Sequence, residues 1–341
     1  MAPRKPLLKP AFLIAVFFCA VQGLWAQGVG TTTADILKVN LGERPAGMAG
    51  AYTAMADDAY SIDYNPAGLS LLRTTQVILS HLDSLAQIQY EYLTFATTLG
   101  IDNTVAANFI YRHTPPIDNN NGNPAVNADD LLARVSMAHV FSPGLRVGLT
   151  VKYLNSDLAN YSASTFAADL GVQLDKLPYG LRAGLSVQNL GPGMTFAPAN
   201  SAPPPNTPSE PLPMFIRFGI GTHQVIDEDK DLNIGVEIFK PSDQGIKAAF
   251  GGEFWVFPDL FAIRAGYKIE NFGKIPTDQS PNVFQYYSLG CTLTRRLEDN
   301  DFSLDLAYNP GNFADSTGGT QTVEDTFSFA LNFKFNEFRI F

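Results

Sequence analysis

The side chains able to do acid–base, nucleophilic or metal chemistry are few in this sequence and poorly spaced for it. The four histidines, His81, His113, His139 and His223, are dispersed and form none of the short ligand spacings that a metal ion requires. Ser136 and His139 are the nearest Ser–His pair. Three residues apart in an extended segment, they point to opposite faces, so the imidazole cannot take the hydroxyl proton. No Gly-x-Ser-x-Gly elbow, phosphate loop or dinucleotide fingerprint occurs. Asp57, Asp58 and Asp63 could offer carboxylate oxygens to Ca²⁺, or serve turn and cap roles at the end of a short helix, which is the commoner use. The expectation is a non-enzymatic protein with no cofactor and no bound metal.

Composition narrows the class further. The chain has 341 residues and a formal net charge of -10, with no basic run, which argues against a nucleic-acid partner. Charged residues make up only 16% of it and aromatics 12%, against roughly a quarter charged in ordinary globular domains. Residues 1–26 read as a secretory signal: Arg4, Lys5 and Lys9, then an apolar stretch from Ala11 to Val21, then Leu24-Trp25-Ala26 before Gln27. Cys19 lies in that segment, which leaves Cys291 alone in the mature chain and rules out a disulfide framework. No later stretch approaches the roughly 20 apolar residues of a spanning helix.

Alternation with a period of two runs through the rest. Leu145, Val147, Leu149, Val151 and Tyr153 alternate with Arg146, Gly148, Thr150 and Lys152, and Phe261, Ile263, Ala265, Tyr267 and Ile269 with Ala262, Arg264, Gly266 and Lys268. Such windows are strands with one apolar and one polar face. About fourteen of them, each near the ~10 residues of a tilted spanning strand, predict an all-β fold: a transmembrane antiparallel β-barrel over residues 74–341. Short connections, such as Ser142-Pro143-Gly144 and Phe257-Pro-Asp-Leu260, alternate with long ones, Thr114 to Asp129, Gly191 to Leu212, Asn271 to Asn282 and Pro310 to Val323. That sorting suits an outer-membrane barrel with its turns in the periplasm. The Pro-rich stretch 191–213 is either an external loop tip or a lid or docking loop over the mouth. The polar faces would place Arg146, Lys152, Asp169, Arg182, Glu237, Arg264, Lys268, Asp305 and Lys334 in the lumen, either as a network holding a plug or as an ordinary wet lining. Gly251-Gly252 could mark a kink in the wall or relieve packing. The last window, Phe327, Phe329, Leu331, Phe333 and Phe335, is an outward apolar ladder, and the chain ends on Phe341.

Residues 27–73 are different. Gly47, Ala49, Gly50, Ala51 and Ala54 give a surface that another backbone can approach closely. Asn65-Pro66 reads as a helix entry, with Asn the cap and Pro at the first position. A segment this small-featured suits a plug packed inside the barrel.

The blocks Arg44 through Leu69, with Asp57-Asp58 and Asn65-Pro66-Ala67-Gly68, resemble the N-terminal signature of the PorV/PorQ family of outer-membrane proteins, within the wider FadL-like group. Leu85 to Tyr92, Val187 to Gly191 and Phe327 to Phe335 are similar to later blocks of that family, which often carries a His where this chain has Glu324-Asp325. The resemblance implies a hatch in the lumen carrying Arg44, Gly47, Met48, Gly50, Asp57, Asp58, Asn65, Pro66, Ala67 and Gly68. It also implies a terminal signal at Phe333, Phe335 and Phe341 for the barrel assembly machinery, and outer-membrane lipids as surroundings in a Gram-negative-type bacterium. By function it implies an accessory of protein export that handles secreted cargo proteins, as in type IX secretion. The alternative is a FadL-like transporter of long-chain fatty acids or other hydrophobic small molecules.

Overall fold

A computed structural model describes residues 31–84, 87–117, 126–199, 201–227, 230–269, 287–298, 300–310 and 325–335. The expected signal at 1–26, Phe341 and most of the expected loops 271–282 and 310–323 lie outside the described residues. The strands are β1 (Thr75–Asp83), β2 (Gln89–Leu99), β3 (Asn103–Ile117), β4 (Val126–Ser142), β5 (Leu145–Leu158), β6 (Tyr161–Leu174), β7 (Leu181–Leu190), β8 (Ala197–Pro198), β9 (Phe215–Asp227), β10 (Lys230–Pro241), β11 (Lys247–Phe257), β12 (Phe261–Ile269), β13 (Tyr287–Leu297), β14 (Asn300–Asn309) and β15 (Thr326–Phe335). The two-residue β8 bonds only to β6, while β7 pairs directly with β9. The other fourteen form one antiparallel ring, closed where β1 pairs with β15 from Thr75↔Phe335 to Asp83↔Phe327. Closure gives each of the fourteen strands a neighbour on both sides.

The alternation sorts side chains as its period requires. Leu149, Val151, Phe166, Leu170, Ile263, Leu293, Phe327, Phe329 and Leu331 stand on the outer face and are exposed. On the intervening positions Arg134, Arg146, Lys152, Asp169, Glu237, Glu253, Arg264 and Asp305 are buried inside. Phe333 stacks edge-to-face on Phe302, ring centroids 5.2 Å apart, and continues the outer ladder towards Phe335.

The strand ends Leu99 and Asn103, Ser142 and Leu145, Leu174 and Leu181, Asp227 and Lys230, Phe257 and Phe261, and Leu297 and Asn300 meet at one end of the ring, and those that flank the long connections, Leu190 and Phe215, Ile269 and Tyr287, and Asn309 and Thr326, lie at the other. The expected loop from Thr114 to Asp129 is shorter than its composition suggested. β3 continues to Ile117 and β4 starts at Val126, with His113 opposite Asp129 and Arg112 opposite Asp130. A His113–Asp129 hydrogen bond at 2.6 Å and an Arg112–Asp130 ion pair at 3.0 Å hold these strand ends together, and the Pro115-Pro116 pair is absorbed in a register shift. No kink occurs at Gly251-Gly252 either. Gly235↔Gly251↔Gly266 and Ile234↔Gly252↔Ala265 run across three strands without a break.

The ladder does break between β6 and β7. Pairing with β7 begins at Ala168↔Leu190 and shifts register before Leu170↔Val187. The bulge turns two consecutive residues, Gln188 and Asn189, inward, with Asn189 in the left-handed region at φ 61°. Above it, residues 161–167 of β6 have no partner on β7, and the connection 191–214 fills the notch. Thr165 Oγ1 donates to the Pro192 carbonyl, the Ala199 amide to the Asn160 carbonyl, and Met194 and Glu210 bridge each other. Met194 and Leu212 are buried against the interior, with Phe196 packed beside them, although 201–206 stay exposed. The segment is thus an anchored cover at the mouth as well as an external tip.

Candidate functional site

The lumen is occupied by the chain's own residues 31–74. The Thr33 amide donates to the Pro211 carbonyl at the long-loop end, and β1 starts at Thr75 at the short-turn end, so the segment threads the barrel from one end to the other. It has two parts. An upper strap, 34–41, contains the short helix Asp35–Lys38 and turns at Gly42 (φ 88°). A deeper part, 43–72, contains the helices Glu43–Gly47, Ser61–Tyr64 and Pro66–Leu71. As its sequence suggests, Asn65 caps the last of these: its Oδ1 accepts the Ala67 amide, and Pro66 sits at the first position.

The deeper part lies directly on the wall because the wall has no side chains there. Lumen-facing Gly148, Gly171, Gly184, Gly219, Gly235, Gly251, Gly266 and Gly290 touch, respectively, Pro66, Asn65, Thr53, Ala54, Ala51, Met48, Ala49 and Gly47. A Cβ on Gly251 would stand 2.5 Å from the Met48 carbonyl oxygen, and one on Gly235 would stand 2.6 Å from that of Ala51. Real Cβ atoms do not tolerate such distances, so backbone-on-backbone contact here requires glycine. Within the plug, Gly50 takes φ 81°, and Gly68 packs against the Ala56 backbone.

Polar groups pin the same segment. Arg44 Nε and NH2 donate to Glu253 at 2.8 and 2.9 Å, and its NH1 reaches Asp57 at 2.6 Å, Asp58 at 2.8 Å and the Tyr52 hydroxyl at 2.8 Å. Glu253 also accepts from Arg264 and Asn233, and Arg182 approaches Asp57 from the wall. Glu237, which is 1% exposed, accepts the Tyr52 and Thr53 amides and the Arg217 guanidinium. Gln173 donates to the Ala54 and Ala56 carbonyls, Gln188 to those of Asp63 and Tyr64, and Asn65 Nδ2 to those of Thr53 and Val172. Glu43 accepts from the Ser80 and Tyr60 hydroxyls. Of the two readings open for the lumenal charges, the network holding a plug describes this arrangement.

The three aspartates do not converge on a metal site. Asp57 and Asp58 face Arg44, Asp58 Oδ1 also caps the Tyr60 amide, and Asp63 pairs with Arg134 at 2.6 Å and the Tyr92 hydroxyl at 2.7 Å. Among the described residues no group of three or more His, Cys, Asp or Glu is placed to hold a metal ion. The histidines are each paired locally, His81 with Glu91, His113 with Asp129, His139 with Asn103 and His223 with Asn233. Ser136 faces inward to Thr150, away from His139.

Beneath the strap lies a cavity of about 30 Å³ with an apolar roof, Ile36, Leu37 and Leu41, and a charged floor, Asp63, Arg134, Lys152 and Arg217. A water needs about 10–15 Å³ of such space, so this volume admits water and no organic molecule while the strap is down. A second pocket of about 170 Å³ opens at the mouth between Val39, Asn40, Ala49, Leu82 and Tyr287. Burial of strap side chains such as Ile36, 1% exposed, contributes roughly 1.5–3 kcal/mol each. Sequence reasoning missed Glu253, Arg217, Arg134 and the Gln188-Asn189 pair. Inward parity was the available signal for the first three.

Residues 19–153 match the model of an Uncharacterised protein family (UPF0164). No curated protein matches the chain. Among solved structures it is similar to the Pseudomonas putida toluene transporter TodX, at 11% identity over 92% of this chain and 99% of that one, with a TM-score of 0.56. It is also similar to the CymD monoaromatic hydrocarbon channel (11% identity, 88% and 98% covered, TM-score 0.55). A Pseudomonas aeruginosa FadL homologue follows at 10% identity, 86% and 98% covered, TM-score 0.52. At these identities the likeness is one of fold alone.

Proposed function

We propose that the protein is a non-enzymatic outer-membrane channel that admits hydrophobic small molecules, with its long connections outside and its short turns in the periplasm. The observation that carries this reading is a closed fourteen-stranded barrel filled by its own amino-terminal segment, in the fold of two aromatic-hydrocarbon channels. The exposed outer face of Leu, Ile, Val and Phe fits hydrocarbon, where every backbone group must be paired internally. Outer-membrane lipids would cover that face, and the barrel assembly machinery would insert it.

Inside, the upper lumen is apolar. Ile110, Leu132, Leu154, Met194 and Leu212 line the space that the strap fills. The break between β6 and β7 gives the wall one place where a molecule leaving the lumen would meet a loop instead of a strand. Export of cargo proteins, as in the PorV/PorQ family, rests on the motif blocks alone, and the fold comparisons support small-molecule passage better.

The test is uptake. Liposomes holding the purified barrel should take up radiolabelled toluene or oleate faster than protein-free liposomes. Equal rates for both, together with secreted proteins retained on gentle purification from native membrane, would turn the assignment to export.

A further inference from the structure

We propose that the outer wall of β1 to β4 is a docking groove for one phospholipid with a primary-ammonium head group, its acyl chain against the wall and its head at the long-loop end. The groove depends on the outer-membrane setting proposed above and not on what passes through the lumen.

Three outward rows, followed across the strands from β15 to β4, build it. The lowest is apolar: Leu331, Leu79, Leu93 and Phe109. The next is mixed: Phe329, His81, Glu91, Tyr111 and Leu131. At the rim, Phe327 is followed by Asp83, Gln89, His113 and Asp129, with Asp157 next on β5. Phe329 on one side and Phe109 and Tyr111 on the other flank Leu79 and Leu93, and the groove between them holds about 700 Å³. That lies within the ~300–1,000 Å³ of small-ligand sites. A hydrocarbon chain is what such a floor fits. Elsewhere the external rim carries the aromatic girdle expected of a barrel in lipid, with Tyr267 opposite Tyr287 and Tyr308 opposite Phe327.

The charge above the floor decides the head group. His81 Nδ1 meets Glu91 at 2.7 Å and its Nε2 lies 3.3 Å from Asp83, so one imidazole is shared by two carboxylates. Both acids stay open to a ligand, the Glu91 side chain 60% exposed and that of Asp83 59%. Asp129 has His113 at 2.6 Å but stands directly opposite Asp157, a like-charge pair that destabilises the sheet unless a cation lies near. Four carboxylates thus share two imidazoles, and the patch is negative even with both rings protonated. The strands bring no other cation to it. Arg112, Arg134, Arg146 and Lys152, the only lysines and arginines of β1 to β5, all turn inward.

Glu91 lies two residues, ~7 Å of strand, below the rim row, where a charge on the lipid face costs more. A counter-charge from outside the chain removes that cost. A primary ammonium brings three N–H donors to carboxylates that only accept. Phosphatidylethanolamine carries that ammonium beside its phosphate and has the chain for the floor. Phosphatidylglycerol, with the same phosphate and no cation, meets only repulsion.

The test is lipid titration of the whole protein in detergent with EDTA, read by native mass spectrometry. Palmitoyl-oleoyl phosphatidylethanolamine should bind about tenfold more tightly than the phosphatidylglycerol of the same chains, a difference of about 1.4 kcal/mol. Asp83→Asn with Glu91→Gln should abolish the difference. Leu93→Trp, on the floor, should weaken both lipids, while Leu289→Trp, the same change at an exposed position on β13, should leave both unchanged. All of these side chains face outward, so the variants keep the fold, and mobility on an unheated gel checks it. Equal binding of the two lipids by the parent, a preference that survives the double substitution, or a preference for phosphatidylglycerol once Mg²⁺ is added overturns the proposal. Toluene uptake plays no part in this readout, so its failure counts against the channel reading alone.

Discussion

Gly251 and Gly252 are adjacent on β11, and a single methyl on each should have opposite consequences. A Cβ on Gly251 points into the lumen, 2.5 Å from the Met48 carbonyl oxygen and 2.7 Å from the Met48 Cβ. A Cβ on Gly252 points outward and finds only the Asn233 carbonyl at 3.8 Å. Both changes remove glycine freedom from the unfolded chain, worth ~0.4–1 kcal/mol, and both sit in the same strand, so those contributions cancel in the comparison. What remains is overpacking against a backbone that the Arg44–Glu253 bonds hold in place, about 1–3 kcal/mol. Gly251→Ala should therefore be less stable than Gly252→Ala by that amount, and Gly252→Ala should equal or exceed the parent. The assay is urea unfolding in detergent, followed by the shift between compact and unfolded bands on an unheated gel. Equal midpoints for the two variants, or greater damage from Gly252→Ala, would refute the claim that the glycine row exists to admit the plug backbone.

Three further outcomes follow from the same contacts. Arg44→Met leaves Asp58 without its guanidinium and Glu253 with Arg264 as its one remaining cation, and should cost ~3–5 kcal/mol by the same gel assay; Arg44→Lys should recover little, since an ammonium cannot replace a fork that reaches four acceptor groups. Asn65→Asp keeps its size and the acceptor for the Ala67 amide, but turns a charged oxygen on the Thr53 and Val172 carbonyls, which Nδ2 now meets at 2.9 and 3.0 Å. It should lose more than the ~1–3 kcal/mol of an unmade buried bond, and Asn65→Ser should lose less; the reverse order in unfolding midpoints would discount the contact.

The third concerns pH. Burial opposes the charge on both Lys38 and Asp243, but their mutual hydrogen bond, with Asp35 on one side and Thr32 on the other, outweighs it, raising Lys38 and lowering Asp243. A lowered carboxyl contributes stability above its unfolded value, about 3.9, that is lost as pH falls through the folded one; a raised ammonium contributes below about 10.4 and is lost as pH climbs through its folded value. Amide exchange over 35–41, corrected for intrinsic rates, should stay flat between those limits and rise outside them. Asp243→Asn should raise it at neutral pH.

The ring of strands was legible because a barrel wall writes itself into every second residue: Leu149 and Val151 outward, Thr150 and Lys152 inward. The small residues of 47–54 and the Asn65-Pro66 entry were legible too, since capping and close approach are local matters. The partners were not. Arg44 meets a carboxylate 209 residues away, and nothing near Glu253 in sequence announces it. The glycines misled by resembling strand breakers, because the backbone that explains them lies elsewhere in the chain. At Gln188-Asn189 a bulge suspends the alternation, so parity fails just where the wall changes. Composition leaves the connection 191–214 open between an external tip and a lid or docking loop, because only three apolar residues, Met194, Phe196 and Leu212, anchor a stretch otherwise made of prolines and small polar residues.

The glycine row bears also on how such a cylinder is made. A strand gains much of its preference for the sheet from side chains that pack on its faces. Along the row, β5 to β13 have surrendered theirs on the inner face, and the atoms that replace them arrive on a different part of the chain. Those strands are therefore incomplete until residues 43–72 lie across them. The segment works as a mandrel, around which the staves are set and against which their registers are read. Its removal would then yield no wide open pore. It would yield a sheet that has lost its former and does not close.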